Sequence, residues 1–566
     1  MSIPSSKGTK QKMQQDLLPM IVLPQQRQCF KEPKAPLYGG GIIVNPSIDH
    51  GLKASSVFGD AKVEKRSING NQFIVAPNRL RPHDSASQGF NLERGKLYAL
   101  SGWIQINEGS TTVNAVIKTA DGGFIHCGGV SAKSGCWSML KGGLEANYSG
   151  LAELYFESQN IEVEIWVDNV SLQPFSEEEW RAHQTESIEK GRKKAVKLEA
   201  VNVRGKKLQG ANVILQQTRP HFPFGSAIGQ NILSNPTYQN WWNQRFTVTT
   251  FENELKWYST ESTANKENYS VADAMFAFTR QHGIPVRGHN IFWDDPKYQP
   301  SWVPQLNPDQ LRVAAEKRLN SVVNKYKGQV IAWDVMNENL HFHFYEDRLG
   351  SNITDQYFQK VGQIDEKATL FMNDYNTLEQ SEDHDSTPDK YIGKLKEIQA
   401  FLGNNRVPLG IGLESHFQKP NMPYVRATLD LLGATGLPVW ITELDVTPDP
   451  NQAQNLEAIL RETYSHPYVQ GIIMWTGWHP EGCYNMCLTD NNFKNLPTGD
   501  VVDKLIKEWG IKRSLVGKTD RDGIFETLVP HGKYEIIITN PNTNSSSTHI
   551  LEVTMDSEEH HVQVYA

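Results

Sequence analysis

The 566-residue sequence is short of cysteine, has no surplus of positive charge and contains no long apolar run, and each shortage excludes a class of protein. Five cysteines (Cys29, Cys127, Cys136, Cys483 and Cys487) are too few for a disulfide scaffold, and no set of ligands has the spacing of a four-coordinate zinc site. Cys483 and Cys487, four positions apart and beside a glycine, suit a local disulfide. Lys plus Arg number 56 against 64 Asp plus Glu, a net charge of −8, so no basic footprint points to nucleic acid or an anionic membrane surface. The longest apolar run near the start, Leu17 to Pro24, is interrupted by Pro19 and is too short to cross a bilayer. It also makes a poor signal peptide, since no small-residue cleavage site follows it. Gly and Pro use is ordinary and hydrophobic residues make up 38%, enough for a large core.

What is present changes character along the chain. Residues 1–30 are polar and rich in Gln and Lys, and read as a disordered lead-in. Residues 31–175 carry short alternating stretches such as Leu97 to Ile106, broken by Gly, Asn and Ser, which predict a β-sandwich of jelly-roll type. Charged residues 176–194 predict a linking helix, and 195–221 a β segment that packs with the strand-like tail, 511–566. Between them, residues 222–510 alternate short apolar runs with amphipathic helical stretches. Eight runs can be counted, at 222–228, 247–253, 284–293, 330–338, 368–376, 408–417, 437–446 and 469–478. Eight strand–helix units predict an α/β fold, the (β/α)₈ TIM barrel, with its chemistry at the C-terminal strand ends. A doubly wound open sheet is the competing arrangement, but no Gly-rich phosphate loop follows the first run.

The far ends of these runs carry Asn253/Glu254, His289, Asn337/Glu338, Asn373/Asp374, His416, Glu443/Asp445 and Trp475, a set that a packing core would not select. Glu338 and Glu443 each follow an apolar run directly, in IAWDVMNE and VWITELDV, and lie 105 residues apart. That is about three strand–helix repeats, which places them on strands four and seven, opposite one another across a barrel mouth. Two opposed carboxyl groups are what glycosidic bond cleavage requires.

The barrel sequence resembles the family-10 glycoside hydrolases, endo-β-1,4-xylanases, and the whole chain resembles their plant members. The resemblance rests on FENELKW (251–257), RGHNIFWDDP (287–296), WDVMNE (333–338), FMNDYN (371–376), GLESHF (412–417), ITELDV (441–446) and GIIMW (471–475). The N-terminal part, through GCWSMLKGG (135–143) and EIWVDNVSLQPF (164–175), resembles a family-22 carbohydrate-binding module. The resemblance implies a retaining endo-1,4-β-xylanase with Glu338 as acid/base and Glu443 as nucleophile. It implies that His416 and Asp445 support Glu443 and that Asn337 bonds the sugar 2-hydroxyl. It further implies that Glu252, Asn253 and Lys256 hold the distal sugar, that His289, Trp293 and Trp475 surround the sugar being cleaved, and that Tyr375 lies on the leaving-group side. No cofactor or metal is expected. The expected partner is xylan or xylo-oligosaccharide, with no nucleic acid or membrane, for a monomer outside the cell or in the wall. Five N-x-[ST] sequons, at Asn147, Asn169, Asn268, Asn352 and Asn544, fit that location. The same intermediate would also serve a transglycosylase, and a non-catalytic wall-polysaccharide binder is the alternative outside enzymology.

Two departures from the family pattern bear on function. Position 414, in the substrate-binding group, is Glu where many members have Gln, which adds a third carboxyl beside the pair. In the sandwich, Ser85 and Ala86 stand where a stacking aromatic is expected, leaving Arg79 and Glu157 as candidates for the sugar site.

Overall fold

A computed structural model of the protein describes residues 29–52, 55–555 and 560–565. The lead-in predicted for residues 1–30 therefore lies outside the described residues except at its end. There Cys29 forms a disulfide with Cys136, and Phe30 pairs with Trp137. Both residues belong to the sandwich, so its start lies before residue 31. The chain divides into two compact units, one made of residues to His183 with 374–403 and 418–439, the other of 184–373, 404–417 and 440–566.

In the first unit, ten strands form two five-stranded sheets whose pairings are antiparallel. Leu97–Ile106 is buried along its whole length and lies between Ile165–Phe175 and Ser138–Glu145. Leu100, Ile104, Val113, Ile117, Leu140, Leu154 and Val167 form the core between the sheets. Arg79 is part of this framework. Its guanidinium is buried and donates to the carbonyls of Pro82, Asp84, Ser158, Asn160 and Val163. Those bonds occupy the side chain and remove it as a sugar ligand. Asn169 is also buried, at 8% exposure, so its sequon is inaccessible, whereas the other four sequon asparagines are exposed.

A helix at Glu177–Arg192 gives way at once to the strand Lys193–Val201 of the second unit, two residues before the expected boundary. That strand pairs with Ile524–Pro530 and His560–Tyr565, while Asn212–Pro220 pairs with Ser514–Lys518 and Gly532–Thr539. Both flanks of the barrel thus share one small core of Val196, Leu198, Val213, Leu215, Ile536 and Ile538.

The barrel strands, one to eight, are Phe224–Ser226, Thr249–Thr250, Val286–Gly288, Ala332–Asn337, Thr369–Asp374, Leu409–Leu413, Val439–Val446 and Val469–Met474. They are neighbours in that order, eight pairs with one, and a parallel bridge between Ile228 and Phe251 closes one against two. The interior is filled by Val248, Ala332, Phe371, Trp440 and Ile473. Glycine on a neighbouring strand makes room for the large rings: a Cβ at Gly288 would collide with Trp333, and one at Gly471 with Trp440. Helix starts follow local chemistry, as where Asn307 and Gln310 cap each other reciprocally ahead of Pro308.

Candidate active site

Several strands deliver polar side chains at or near their C-terminal ends. Strand four ends at Asn337, and Glu338 immediately beyond takes φ 60°, a left-handed conformation that costs a residue with a Cβ about 1–3 kcal/mol. Its amide donates to the Asn373 carbonyl on strand five (2.8 Å), which fixes the turn. Glu443 lies within strand seven and is 5% exposed. A chain of amides runs between the two carboxyls. Asn373 Nδ2 donates to Glu443 Oε1 (2.8 Å) and to Asn337 Oδ1 (2.9 Å), and Asn337 Nδ2 makes a long contact with Glu338 Oε1 (3.5 Å). Thr442 holds Asn373 in that orientation by donating to its Oδ1 (2.6 Å).

Basic side chains surround Glu443. His289 Nδ1 is 3.7 Å from Oε1 and His416 Nε2 is 3.8 Å from Oε2. Burial pushes the Glu443 carboxyl up, but the charges of His289, His416 and Lys256 and a hydrogen bond from His416 outweigh it and hold its pKa at about 2. His416 is in turn fixed by Asp445, with Nδ1 to Oδ1 at 2.9 Å. Burial opposes its charge, yet the bonds to Asp445, Glu414 and Glu443 raise its pKa well above the ordinary histidine value. His289 is fixed by Asp334 (3.0 Å), which also pairs with Arg287.

Glu414 is 3% exposed and its Oε2 lies 3.6 Å from His416 Nε2. Burial first, then the charges of Glu443 and Glu338, push its carboxyl well above the usual range against the pull of His416. Ligand-type atoms of Glu414, His416 and Glu443 thus come within 4.8 Å of one another, a cluster large enough for a metal that no sequence spacing announced. His416 Nε2 stands between the two carboxyl groups, 3.6 Å from Glu414 Oε2 and 3.8 Å from Glu443 Oε2. A third ionisable carboxyl beside Glu338 and Glu443 resists joint ionisation with them and favours a charged His416. Glu414→Gln removes both effects, so the alkaline limb of kcat/KM is expected to move to lower pH by about half a unit. An unchanged profile would rule the coupling out.

Around the carboxylates, Lys256 is buried with its Nζ 4.4 Å from the Trp293 ring centroid and 5.2 Å from that of Trp475. Burial lowers its pKa against the charges of Glu443, Glu414, Glu338 and Glu252. Burial and the Glu254 charge push Glu252 up to about 8. His289 meets Trp475 edge-on at 5.4 Å. Asn253 is exposed and accepts from Tyr258 Oη (2.7 Å). Glu252 Oε1 and Trp293 Nε1 are buried atoms without a hydrogen-bond partner, free capacity beside the carboxylates. Tyr375 belongs to the first unit, is half-buried and takes no part in the amide chain between the carboxyls. Trp478 is packed on Tyr238 and Phe493 and donates to Asn491, which places it in the core.

Three participants escaped the sequence reading. Asn373 was visible at a strand end but had no role. Asp334 lies within strand four, four positions before Glu338, and gave only a faint signal. Asn485, which donates to Asp445 Oδ1 (2.9 Å), comes from a loop with none.

The sequence model of glycosyl hydrolase family 10 matches residues 214–498. Endo-1,4-beta-xylanase 5 of Arabidopsis thaliana is 40% identical over 478 residues, covering 83% of this chain and 84% of that protein. Endo-1,4-beta-xylanase 4 of the same plant is 36% identical over 548 residues, covering 92% and 95%. Among solved structures, xylanase 10B from Thermotoga petrophila RKU-1 in complex with xylobiose is 22% identical, with a TM-score of 0.45 over 51% of this chain and 94% of that one.

Proposed function

The chain belongs to glycosyl hydrolase family 10, and from that membership we propose that it is an endo-1,4-β-xylanase cutting internal β-1,4-xylosidic bonds with retention of configuration. The observation that carries the mechanism is the unequal treatment of two linked carboxyls. Glu443 is kept ionised by His416, His289 and Lys256, while Glu338 sits among other negative groups at the far end of the amide chain. In this reading Glu338 protonates the departing glycosidic oxygen as Glu443 attacks the anomeric carbon and forms a glycosyl ester. Glu338, now a base, takes a proton from water, which displaces Glu443 and restores the original configuration. A double displacement of this kind requires the two carboxyl groups to be about 5–5.5 Å apart.

Asn337 is assigned the sugar 2-hydroxyl, a bond that strengthens as charge develops. Glu252 with its unpaired oxygen, Asn253 and Lys256 are assigned the distal sugar, His289, Trp293 and Trp475 the walls of the sugar being cleaved, and Tyr375 the leaving-group side. Packing of these walls against the sugar is the proposed reason for preferring a ring without a hydroxymethyl group, hence xylose. On the sandwich, Phe58 stacked on Tyr155 (3.8 Å) beside exposed Phe124 offers the aromatic surface that Ser85 and Ala86 do not, and is the proposed polysaccharide contact. Two disulfides and four exposed sequons support an extracellular location. Soluble xylan is expected to yield new reducing ends with the wild type and none with Glu443→Ala. Equal, negligible release from both would favour a polysaccharide-binding protein.

A further inference from the structure

The loop after strand eight is closed on itself by a Cys483–Cys487 disulfide, and two of its residues reach the support of Glu443. Asn485 Nδ2 donates to Asp445 Oδ1 at 2.9 Å, the same oxygen that binds His416 Nδ1 at 2.9 Å. Asp445 Oδ2 is buried without a partner, so among the described residues this carboxylate is held through Oδ1 alone, by His416 and Asn485. His416 is the group being positioned and cannot also serve as the anchor. Asn485 is therefore the fixed point of the pair. The loop is itself tied down: Gln452 Nε2 donates to the Asn485 carbonyl (3.3 Å) and to that of Val446 at the end of strand seven (2.7 Å), and Met486 is buried. Tyr484, 75% exposed, meets the His416 ring edge-on at 5.8 Å.

We propose that Asn485 is a positioning residue of the hydrolytic site, and that the disulfide-closed loop 483–487 aims His416 at Glu443 by clamping Asp445. The proposal rests on the hydrolase reading for its kinetic consequence but not for its structural one. If Asp445 swings away, His416 loses its partner on Nδ1 and its direction toward Glu443, and the nucleophile loses a positive neighbour. The sign follows: Glu443 then holds its proton to higher pH, so the acidic limb of kcat/KM moves up.

The test uses the full chain. Asn485→Ala is expected to lower kcat roughly tenfold, the scale seen when a partner that orients a functional histidine is removed, with little change in KM. Its acidic limb should rise by about half a unit to one unit. Asn485→Gln, which keeps the amide, should recover part of both, and the Cys483→Ser/Cys487→Ser pair should move both in the same direction by less. An unchanged acidic limb, whatever happens to kcat, would overturn the proposal, because a merely structural loss lowers activity equally at every pH. A second readout does not need turnover. The His416 imidazole, followed by ¹H–¹⁵N NMR, should titrate at lower pH in Asn485→Ala than in the wild type, and an unmoved midpoint would equally overturn it. Absence of xylan cleavage by the wild type would defeat the hydrolase reading instead, and the imidazole titration would still decide this one.

Discussion

Glu443→Ala should lower kcat on xylan by on the order of 10⁴–10⁶-fold, the scale of removing a covalent nucleophile, with the protein still folded and still binding substrate. The size follows from what replaces the residue. Without Glu443 the cleft keeps its basic side chains, His289, His416 and Lys256, but has no group to meet the anomeric carbon as the oxocarbenium-like charge develops. Transition-state charge that a carboxylate stabilised would then face positive neighbours. Added azide should restore part of the rate on an activated aryl xyloside, because a small anion fits the space vacated beside those basic side chains. Attack from that side gives the azide product with inverted configuration. A product of retained configuration would mean that the nucleophile is another group.

The second large effect separates the two carboxyls by role. Glu338→Ala should cost about 10²–10⁴-fold on xylan, where the departing sugar oxygen needs a proton, and far less on an aryl glycoside whose leaving group departs unassisted. A glycosyl–enzyme should then accumulate on the activated substrate, since the base that deprotonates water is missing, and a burst followed by slow turnover would report it. Equal losses on both substrates would contradict the assignment of Glu338 as acid/base. The left-handed backbone at Glu338 belongs to the same account: a residue held at φ 60° is paid for elsewhere, here by the bond from its amide to Asn373.

The chemistry was more legible in the sequence than its scaffolding. A barrel strand exposes its last inward side chain to the cleft, so a Glu directly after an apolar run announces itself, and Glu338, Glu443, His289 and His416 could be read this way. Asn485 could not. Its importance comes from meeting Asp445 across the fold, and local periodicity carries no trace of a contact between a loop and a strand forty positions earlier. Arg79 shows the opposite failure. An arginine near a suspected sugar site invites a binding role, but sequence does not reveal that five carbonyls converge on its guanidinium. The near pair, Cys483 and Cys487, was readable from spacing, whereas nothing in the sequence announced the pairing of Cys29 with Cys136 across 107 positions.

The central claim is that Glu443 forms an ester with the sugar while Glu338 manages the proton. Mass spectrometry after reaction with a 2-fluoro xylosyl inactivator tests it most directly. The fluorine slows loss of the ester, so a peptide containing Glu443 should carry the mass of one 2-fluoroxylosyl group, and Glu443→Ala should carry none. A label on a different residue, or a carboxyl separation above about 6.5 Å with inverted products, would contradict it.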